Sequence, residues 1–487
     1  MTTKRLHPLA ILLFWWRDLA GLAFIFVISA SGLWHLGLFW FLLVWGSVIA
    51  LDLVRAVVKY WWYRYDLGEQ AITINTGIIF KKQVHVPYTR IQTLQLKQWF
   101  FMRPFKLTLV SLETSGQSHD KAEGELPMVT QAVVDQLQAL VKGQPVLDVT
   151  VESAGEASTQ AKSKTSAKPA TDATYRINWS DLNTYALTSM GVIPILLGVL
   201  WLYDKLDDLV PDKVLNNAVS NVAALGILML IGLILVILIF GIIVSYLTII
   251  QRYYHFQLSK QGQRLVTEKG FFQRNTISAN ESRVQTVIVS QTILRQLLKL
   301  ESIQLVLASS ASEKEDGKNL VLMPVLNQRR YAEIHRFINW VPQERPVMER
   351  ISFSGRWRLI RNALLVALVP AVPIIWFLRP WGWLALLLVP LAILLGLYAG
   401  HNVGLSVLSD QLVALQTGHW FERETYLVPK RRIQSVVLVQ TVWMKRAGLA
   451  HLRLNVRHGD SNQEIEVRFV SDQSAQRVYD WYRQAND

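Results

Sequence analysis

Three stretches of the chain are apolar for long enough to cross a bilayer, and each is followed by a polar segment in which hydrophobic positions alternate. The first runs from Leu19 to Leu51, 33 residues without Asp, Glu, Lys or Arg, interrupted by Ser29–Ala30–Ser31–Gly32 and His35–Leu36–Gly37. A membrane helix rises about 1.5 Å per residue and needs about 20 residues, so this stretch is long for one crossing and short for two. It predicts a tight hairpin whose first helix begins near Phe14–Trp15–Trp16, with Arg17 snorkelling to the interface. One long tilted helix is the competing reading. In the second stretch, Thr184–Tyr203 and Val222–Ile250 form two crossings around Asp204, Lys205, Asp207, Asp208, Asp212 and Lys213. In the third, Asn362–Leu378 and Trp381–Gly400 are separated by Arg379–Pro380. Six crossings in three hairpins follow. Pro370, Pro373 and Pro390 kink the last hairpin or make room there for a lipid or peptide.

The polar segments repeat. Thr76–Gly77–Ile78–Ile79 is followed by Pro87, Arg90–Ile91–Gln92 and Gln98; Lys269–Gly270–Phe271–Phe272 by Arg283–Val284–Gln285 and Gln291; Thr417–Gly418–His419–Trp420 by Pro429, Arg432–Ile433–Gln434 and Gln440. Glycine-to-arginine spacings are 13, 13 and 14, and each arginine precedes the second glutamine by 8. Alternating strands follow at Leu107–Leu112, Ile303–Leu307 and Leu452–Val456. Amphipathic helical runs then close the copies at Thr130–Val141, Gln328–Trp340 and Ser471–Tyr482. Short alternating strands with turn glycines and one terminal helix describe a small barrel or curled sheet plugged by a helix.

This pattern resembles the second type of bacterial pleckstrin-homology-like (PH-like) domain, as carried by YdbS/YdbT-like membrane proteins. The opening Arg5–Leu6–His7–Pro8 is similar to the start of such proteins. The resemblance covers the whole chain apart from a Ser/Ala/Lys-rich stretch. It implies a curved antiparallel sheet capped by a C-terminal helix, without catalytic residues. It also implies a smaller single-domain PH-like membrane partner and a role in protection against membrane-active peptides such as bacteriocins. The second copy departs from the pattern, with Asn280 where the others have Pro87 and Pro429.

The fold class is therefore membrane α-helical hairpins plus α+β, in three repeats of a two-helix hairpin followed by a PH-like domain. Hairpins occupy 1–60, 176–252 and 344–400, PH-like domains 61–145, 253–343 and 401–487, and a disordered linker 146–175. The linker reading rests on Ser153–Thr174, which is rich in Ser, Ala, Thr and Lys and lacks aromatic residues. The Lys4–Arg5 start is no cleavable signal, because Arg17–Asp18 interrupts the apolar run and no small-residue cleavage site closes it.

Composition sharpens this. The chain is 51% hydrophobic with mean hydropathy +0.24, and 18 Trp and 15 Tyr suit interfacial aromatic belts. A net charge of +14 reflects basic residues flanking the apolar blocks, which favours anionic lipid and positive-inside bias over nucleic acid. Lys4, Arg5, Arg55, Lys59, Arg64, Arg176, Arg252, Arg356, Arg358 and Arg361 share the side of the termini, against Lys205, Lys213 and Arg379 opposite. Both termini and all three domains are therefore expected in the cytoplasm of a bacterium.

With no cysteine, disulfides and thiol chemistry are excluded. There is no P-loop, nucleophile elbow or zincin motif, so no catalytic, metal or cofactor residue is assigned. His85, His401, His419 and His451 read as turn or surface residues. The clear crossings contain no Asp, Glu, Lys or Arg in their interiors, which argues against an ion-driven pump. Arg90, Gln92, Gln98, Arg283, Gln285, Gln291, Arg432, Gln434 and Gln440 either line a phosphate- or carboxylate-binding site on each domain or satisfy backbone groups and hold strand register. Lys81, Lys82, Lys430, Arg431, Lys445 and Arg446 are candidate contacts to anionic lipid, or else a solvated face kept near the membrane by its tether. Arg356, Arg358 and Arg361, within the mixed basic and apolar run Arg350–Arg361, anchor the third hairpin at the interface. Leu9–Trp16 is the counterpart in the first module. The expected function is a non-enzymatic platform for lipid or peptide recognition. A lipid or amphipathic-peptide transporter and a scaffold for a membrane complex are the alternatives.

Overall fold

The computed structural model describes residues 4–33, 38–77, 80–114, 124–142, 172–189, 227–308, 319–377, 381–419, 421–459 and 461–484. They fall into two compact units, one of residues 1–170, 190–256 and 267–278, the other of 171–189, 257–266 and 279–487. In chain order the first module is β1 (Lys4–Arg5), α1 (Ala10–Leu33), α2 (Leu38–Trp62), β2 (Arg64–Leu67), β3 (Ala71–Thr76), β4 (Lys82–Pro87), β5 (Thr93–Trp99), β6 (Leu107–Glu113), β7 (Gly124–Thr130) and α3 (Gln131–Lys142). There follow β8 (Ala173–Arg176), α4 (Trp179–Leu187), α5 (Ile227–Tyr253), β9 (Gln257–Gln261), β10 (Arg264–Lys269), β11 (Gln273–Asn280), β12 (Val284–Thr292), α6 (Ile293–Leu297), β13 (Leu300–Leu307), β14 (Leu320–Asn327) and α7 (Glu333–Phe337). The last module is β15 (Glu349–Arg350), α8 (Phe353–Phe377), α9 (Leu388–His401), β16 (Gly404–Ser409), β17 (Leu412–His419), β18 (Glu422–Pro429), β19 (Ile433–Val439), α10 (Val442–Arg446), β20 (Leu449–His458), β21 (Ser461–Ser471) and α11 (Asp472–Arg483).

Among the described residues, four helical segments are long and apolar enough to span a membrane: Phe39–Trp62, Leu235–Tyr253, Phe353–Trp376 and Gly382–His401. The first apolar stretch forms two helices, α1 and α2. Arg17 of α1 does not simply reach for the interface, because its guanidinium pairs with Glu125 of β7 at 3.1 Å. Of Leu9–Trp16, read as an interfacial anchor, Ala10–Trp16 supply the first turns of α1, where Phe14 is buried against Tyr63. Thr184, expected to open a crossing, belongs instead to α4, which ends at Leu187 with Thr188 as C-cap. The rest of that crossing, with Lys205 and Lys213, lies outside the described residues, as do Arg379 and most of the expected linker. Residues 173–175, the end of that linker, form part of β8 and pair with β9.

Of the two forms expected, barrel or curled sheet, the closed barrel is not seen: among the described residues no sheet closes. Strands of one module are shared between open antiparallel sheets. In the first unit β1-β2-β3-β4 form one sheet, and β7-β6-β5 form another whose next neighbour is β11. In the second unit β14-β13-β12 continue into β18-β17-β16-β15, while β19-β20-β21 stand as a three-stranded sheet. A strand that would have closed its own module pairs with the next one instead.

The repeat's landmarks have identifiable causes. Gly77 and Gly270 adopt φ +105° and +112°, and a Cβ there would lie 1.9 Å from the Phe80 carbonyl oxygen and 2.0 Å from that of Gln273. Each conserved-spacing arginine ends a 3₁₀ turn (Tyr88–Arg90, Glu281–Arg283, Lys430–Arg432). Asn280 reproduces the proline's role: its φ/ψ of −81°/134° matches Pro87 at −63°/134°, and its side chain accepts from the Ser282 amide. The expected helix at Gln328–Trp340 breaks into a 3₁₀ turn and the five-residue α7. There Lys260 Nζ, paired with Glu281 at 2.8 Å, donates to the Phe337 carbonyl, and Glu281 accepts from the Asn339 amide. Those bonds hold the chain in the extended form seen at Ile338. By contrast α11 is a full amphipathic helix, capped by Ser471 and burying Ala475, Val478 and Trp481.

Candidate functional site

The third module places an apolar cavity of about 440 Å³ where α8 and α9 meet their own domain. Small residues bring the elements together. A Cβ on Gly396 would lie 2.5 Å from Ile360 Cα, and one on Gly400 3.2 Å from Arg356 Cβ, so α8 and α9 cross at backbone contact. Gly355 backs onto the Phe469 carbonyl of β21, and Gly418 of β17 onto Ala399 and Asn402 at the end of α9. Gly418 thus keeps its place in the repeat for close approach, whereas Gly77 and Gly270 serve a left-handed turn.

One end of the cavity is hydrocarbon, lined by Val366, Ala367 and Pro370 of α8 and Leu388, Leu391 and Leu395 of α9. The other end is polar: Asn362, Thr417, His419, Glu466 and Arg468. The Thr417 hydroxyl is buried with no hydrogen-bond partner among the described residues, a costly state unless something in the cavity meets it. Glu466 accepts from Arg468 Nε at 2.5 Å and from Arg453 Nε at 2.9 Å. Burial raises its pKa, but the two guanidiniums outweigh that and hold the carboxyl below its ordinary value. Burial, reinforced by Arg468, pushes the His419 imidazole down. An acyl chain with a polar head matches this division better than a wholly polar metabolite.

The repeated glutamines do something specific. Gln98, Gln291 and Gln440 each donate their side-chain amide to a carbonyl nine residues on, those of Leu107, Leu300 and Leu449, at 3.1, 2.7 and 2.9 Å. Gln92 and Gln285 are buried, the latter donating to the Arg283 carbonyl, while Gln434 is exposed. Arg90 and Arg283 are exposed, and Arg432 donates to the Ser282 carbonyl. None of these nine residues lines the third-module cavity.

The basic candidates divide similarly. Lys82, Arg431 and Lys445 are exposed. Lys81 and Arg446 lie over the rings of Trp62 and Trp443 at 5.6 and 5.5 Å. Lys430, half-buried, lies over the Trp481 ring and donates to its carbonyl. Arg358 donates to Ser354, Arg361 to Asn362, and Arg356 packs on Gly400.

Sequence reasoning missed two features. After the second glutamine each copy exposes an apolar tip: Phe100 and Phe105, Leu294 and Leu297, Val442 and Trp443, with Leu297 79% and Trp443 73% exposed. Four positions past that glutamine stands a buried anchor, Met102, Arg295 or Met444. Arg295 is satisfied by the Thr188, Ser189 and Ser302 hydroxyls and the Tyr185 carbonyl. The apolar residues just beyond each glutamine were the available signal for the tips. The cavity had none, because its walls come from sequence segments up to about a hundred residues apart.

The domain model described as Bacterial PH domain matches three times, at residues 18–144, 214–340 and 363–486. The chain is 23% identical to the transmembrane protein YdbT of Bacillus subtilis (strain 168), an alignment covering 98% of both chains. No solved structure matches it. With a transmembrane relative along its whole length and three domain matches over most of it, this membrane protein belongs to the bacterial PH-domain family, and it carries the domain in three copies.

Proposed function

We propose that the protein is a non-enzymatic recognition platform of the cytoplasmic membrane, whose third module binds one membrane phospholipid. The observation that carries this reading is the third-module cavity, hydrocarbon at one end and polar at the other, with the orphaned Thr417 hydroxyl inside it. The acyl chain lies between α8 and α9, and the headgroup meets His419 and Arg468. The apolar tips and nearby Lys445 and Arg446 rest on the inner leaflet, where each basic residue contributes about 1 kcal/mol. Both termini and all three domains face the cytoplasm, in keeping with the basic flanks of the helices. The biological output is envelope defence: a lipid-reading platform, acting with a smaller PH-like partner, counters membrane-active peptides that target the same bilayer.

Binding of a fluorescent phosphatidylglycerol to the purified full-length protein tests the reading. Val366→Trp fills the hydrocarbon end and is expected to weaken binding at least about tenfold, which is about 1.4 kcal/mol. Arg468→Ala is expected to alter headgroup preference. Equal affinities for wild type and Val366→Trp would sink the proposal. A deletion strain challenged with membrane-active peptides, complemented by wild type or Val366→Trp, tests the defence output.

A further inference from the structure

Pairing between modules follows one rule in both places where it can be read. The strand after the repeated arginine pairs with the strand before the next arginine. β12 pairs antiparallel with β18, in the register Val287↔Leu427, Ile288↔Tyr426, Val289↔Thr425 and Ser290↔Glu424. Just past it, the Ile293 amide donates to the Phe421 carbonyl at 3.0 Å. β5 lies beside β11, and the Phe100 amide donates to the Phe272 carbonyl at 2.7 Å. Phe100 and Ile293 are equivalent in the repeat, each ten residues past its arginine, and Phe272 and Phe421 are each 11 residues before theirs. The same junction is built twice.

Among the described residues, two strands of this series have an unpaired outer edge. β4 precedes the first arginine and ends the sheet β1-β2-β3-β4, and β19 follows the third and ends the sheet β19-β20-β21. Their surfaces differ from those of their paired equivalents. All nine residues of β12 are buried, whereas in β19 only Ile433 is, with Val437 41% exposed. In β18 the five residues Thr425–Pro429 are buried, whereas in β4 only Val86 is. β19 reads Ile-Gln-Ser-Val-Val-Leu-Val, with none of the charges or prolines that ordinarily guard an open edge. β4 has Lys82 and Pro87, yet its equivalent β18 pairs with a proline at the same place.

We infer that the protein assembles head to tail with further copies of itself, the β19 edge of one copy pairing antiparallel with the β4 edge of the next. Carrying the β12–β18 register through the repeat, by 149 residues for β19 (432 − 283) and 342 for β4 (432 − 90), sets Val436 against His85, Val437 against Val84 and Leu438 against Gln83. The contact is heterologous: it leaves a free edge at each end of the assembly unless the chain of copies closes into a ring. Confinement to one membrane raises the effective concentration that such a short contact needs.

The chain lacks cysteine, so cross-linking is clean. Differently tagged full-length copies, one Val84→Cys and one Val437→Cys, are co-expressed and oxidised in native membranes. Directly opposed Cβ atoms lie about 5 Å apart, so a mixed disulfide of two-chain mass is expected, with little homotypic product. Leu438→Cys with Gln83→Cys is the second pair, should the first fail to accumulate. No mixed product from either pair would overturn the inference. So would capture of a smaller protein in place of a second copy, or a double-cysteine chain that links only within itself.

Discussion

The side-chain amide of Gln440 donates to the main-chain carbonyl of Leu449 at 2.9 Å, and the same bond recurs from Gln98 and Gln291. In each copy it ties the end of one strand to the beginning of the next across the apolar tip. Gln440→Ala removes the donor and leaves a carbonyl to be satisfied otherwise, a loss of about 1 kcal/mol. Thermal unfolding of the detergent-solubilised protein is expected to move down by that amount, with phosphatidylglycerol affinity unchanged. A change in affinity at unchanged stability would show the glutamine to be a ligand contact.

Gly396 and Gly46 provide a matched pair. A Cβ at Gly396 meets Ile360 Cα at 2.5 Å, whereas one at Gly46 meets nothing within 4 Å. Gly396→Ala is expected to cost about 1–3 kcal/mol by forcing α8 and α9 apart, while Gly46→Ala is neutral or mildly stabilising. Parallel melting curves decide it.

Arg295 stands where the other copies have Met102 and Met444. Arg295→Ala leaves a cavity and takes away the donor to three hydroxyls that keep their own bonds to main-chain carbonyls, and it is expected to cost at least about 3 kcal/mol. Arg295→Met restores the anchor of the sister copies and is expected to recover more than half of that loss, read by chemical denaturation.

Glu301, fully buried in β13, pairs with Arg345 at 3.2 Å. Burial pushes its carboxyl up to about 7, against the opposing pull of Arg345 and Arg423. The folded state therefore holds this proton more tightly than the unfolded chain, whose carboxyl titrates near 4.5. Its contribution is fully present below about pH 4.5, and stability falls as pH rises through about 7, by an amount on the order of 3 kcal/mol. Glu301→Gln is expected to flatten that slope between pH 5 and 7, as measured by melting temperature against pH.

Much of the fold was legible because local rules wrote it. Hydrophobic runs marked the helices, and the spacing of Gly77, Gly270 and the three arginines marked turns that recur with the same geometry. Three things were not legible. The helix expected after Gln328 is cut short by the Lys260–Glu281 pair, a contact between distant segments. The sheets remain open because edges pair between modules, and alternation says which face is buried but not which strand is the neighbour. At the candidate site, Pro370 and His419 were each visible in sequence. Their meeting depends on Gly355, Gly396 and Gly418 letting backbones touch, and a lone glycine does not announce its partner.

The most direct measurement of the central claim is the mapping of a photoactivatable phospholipid on the full-length protein in native membranes. The account predicts adducts enriched on peptides spanning residues 359–370 and 388–403, and lost in Val366→Trp. Adducts spread evenly over the membrane-length helices, or unchanged by that substitution, would contradict it.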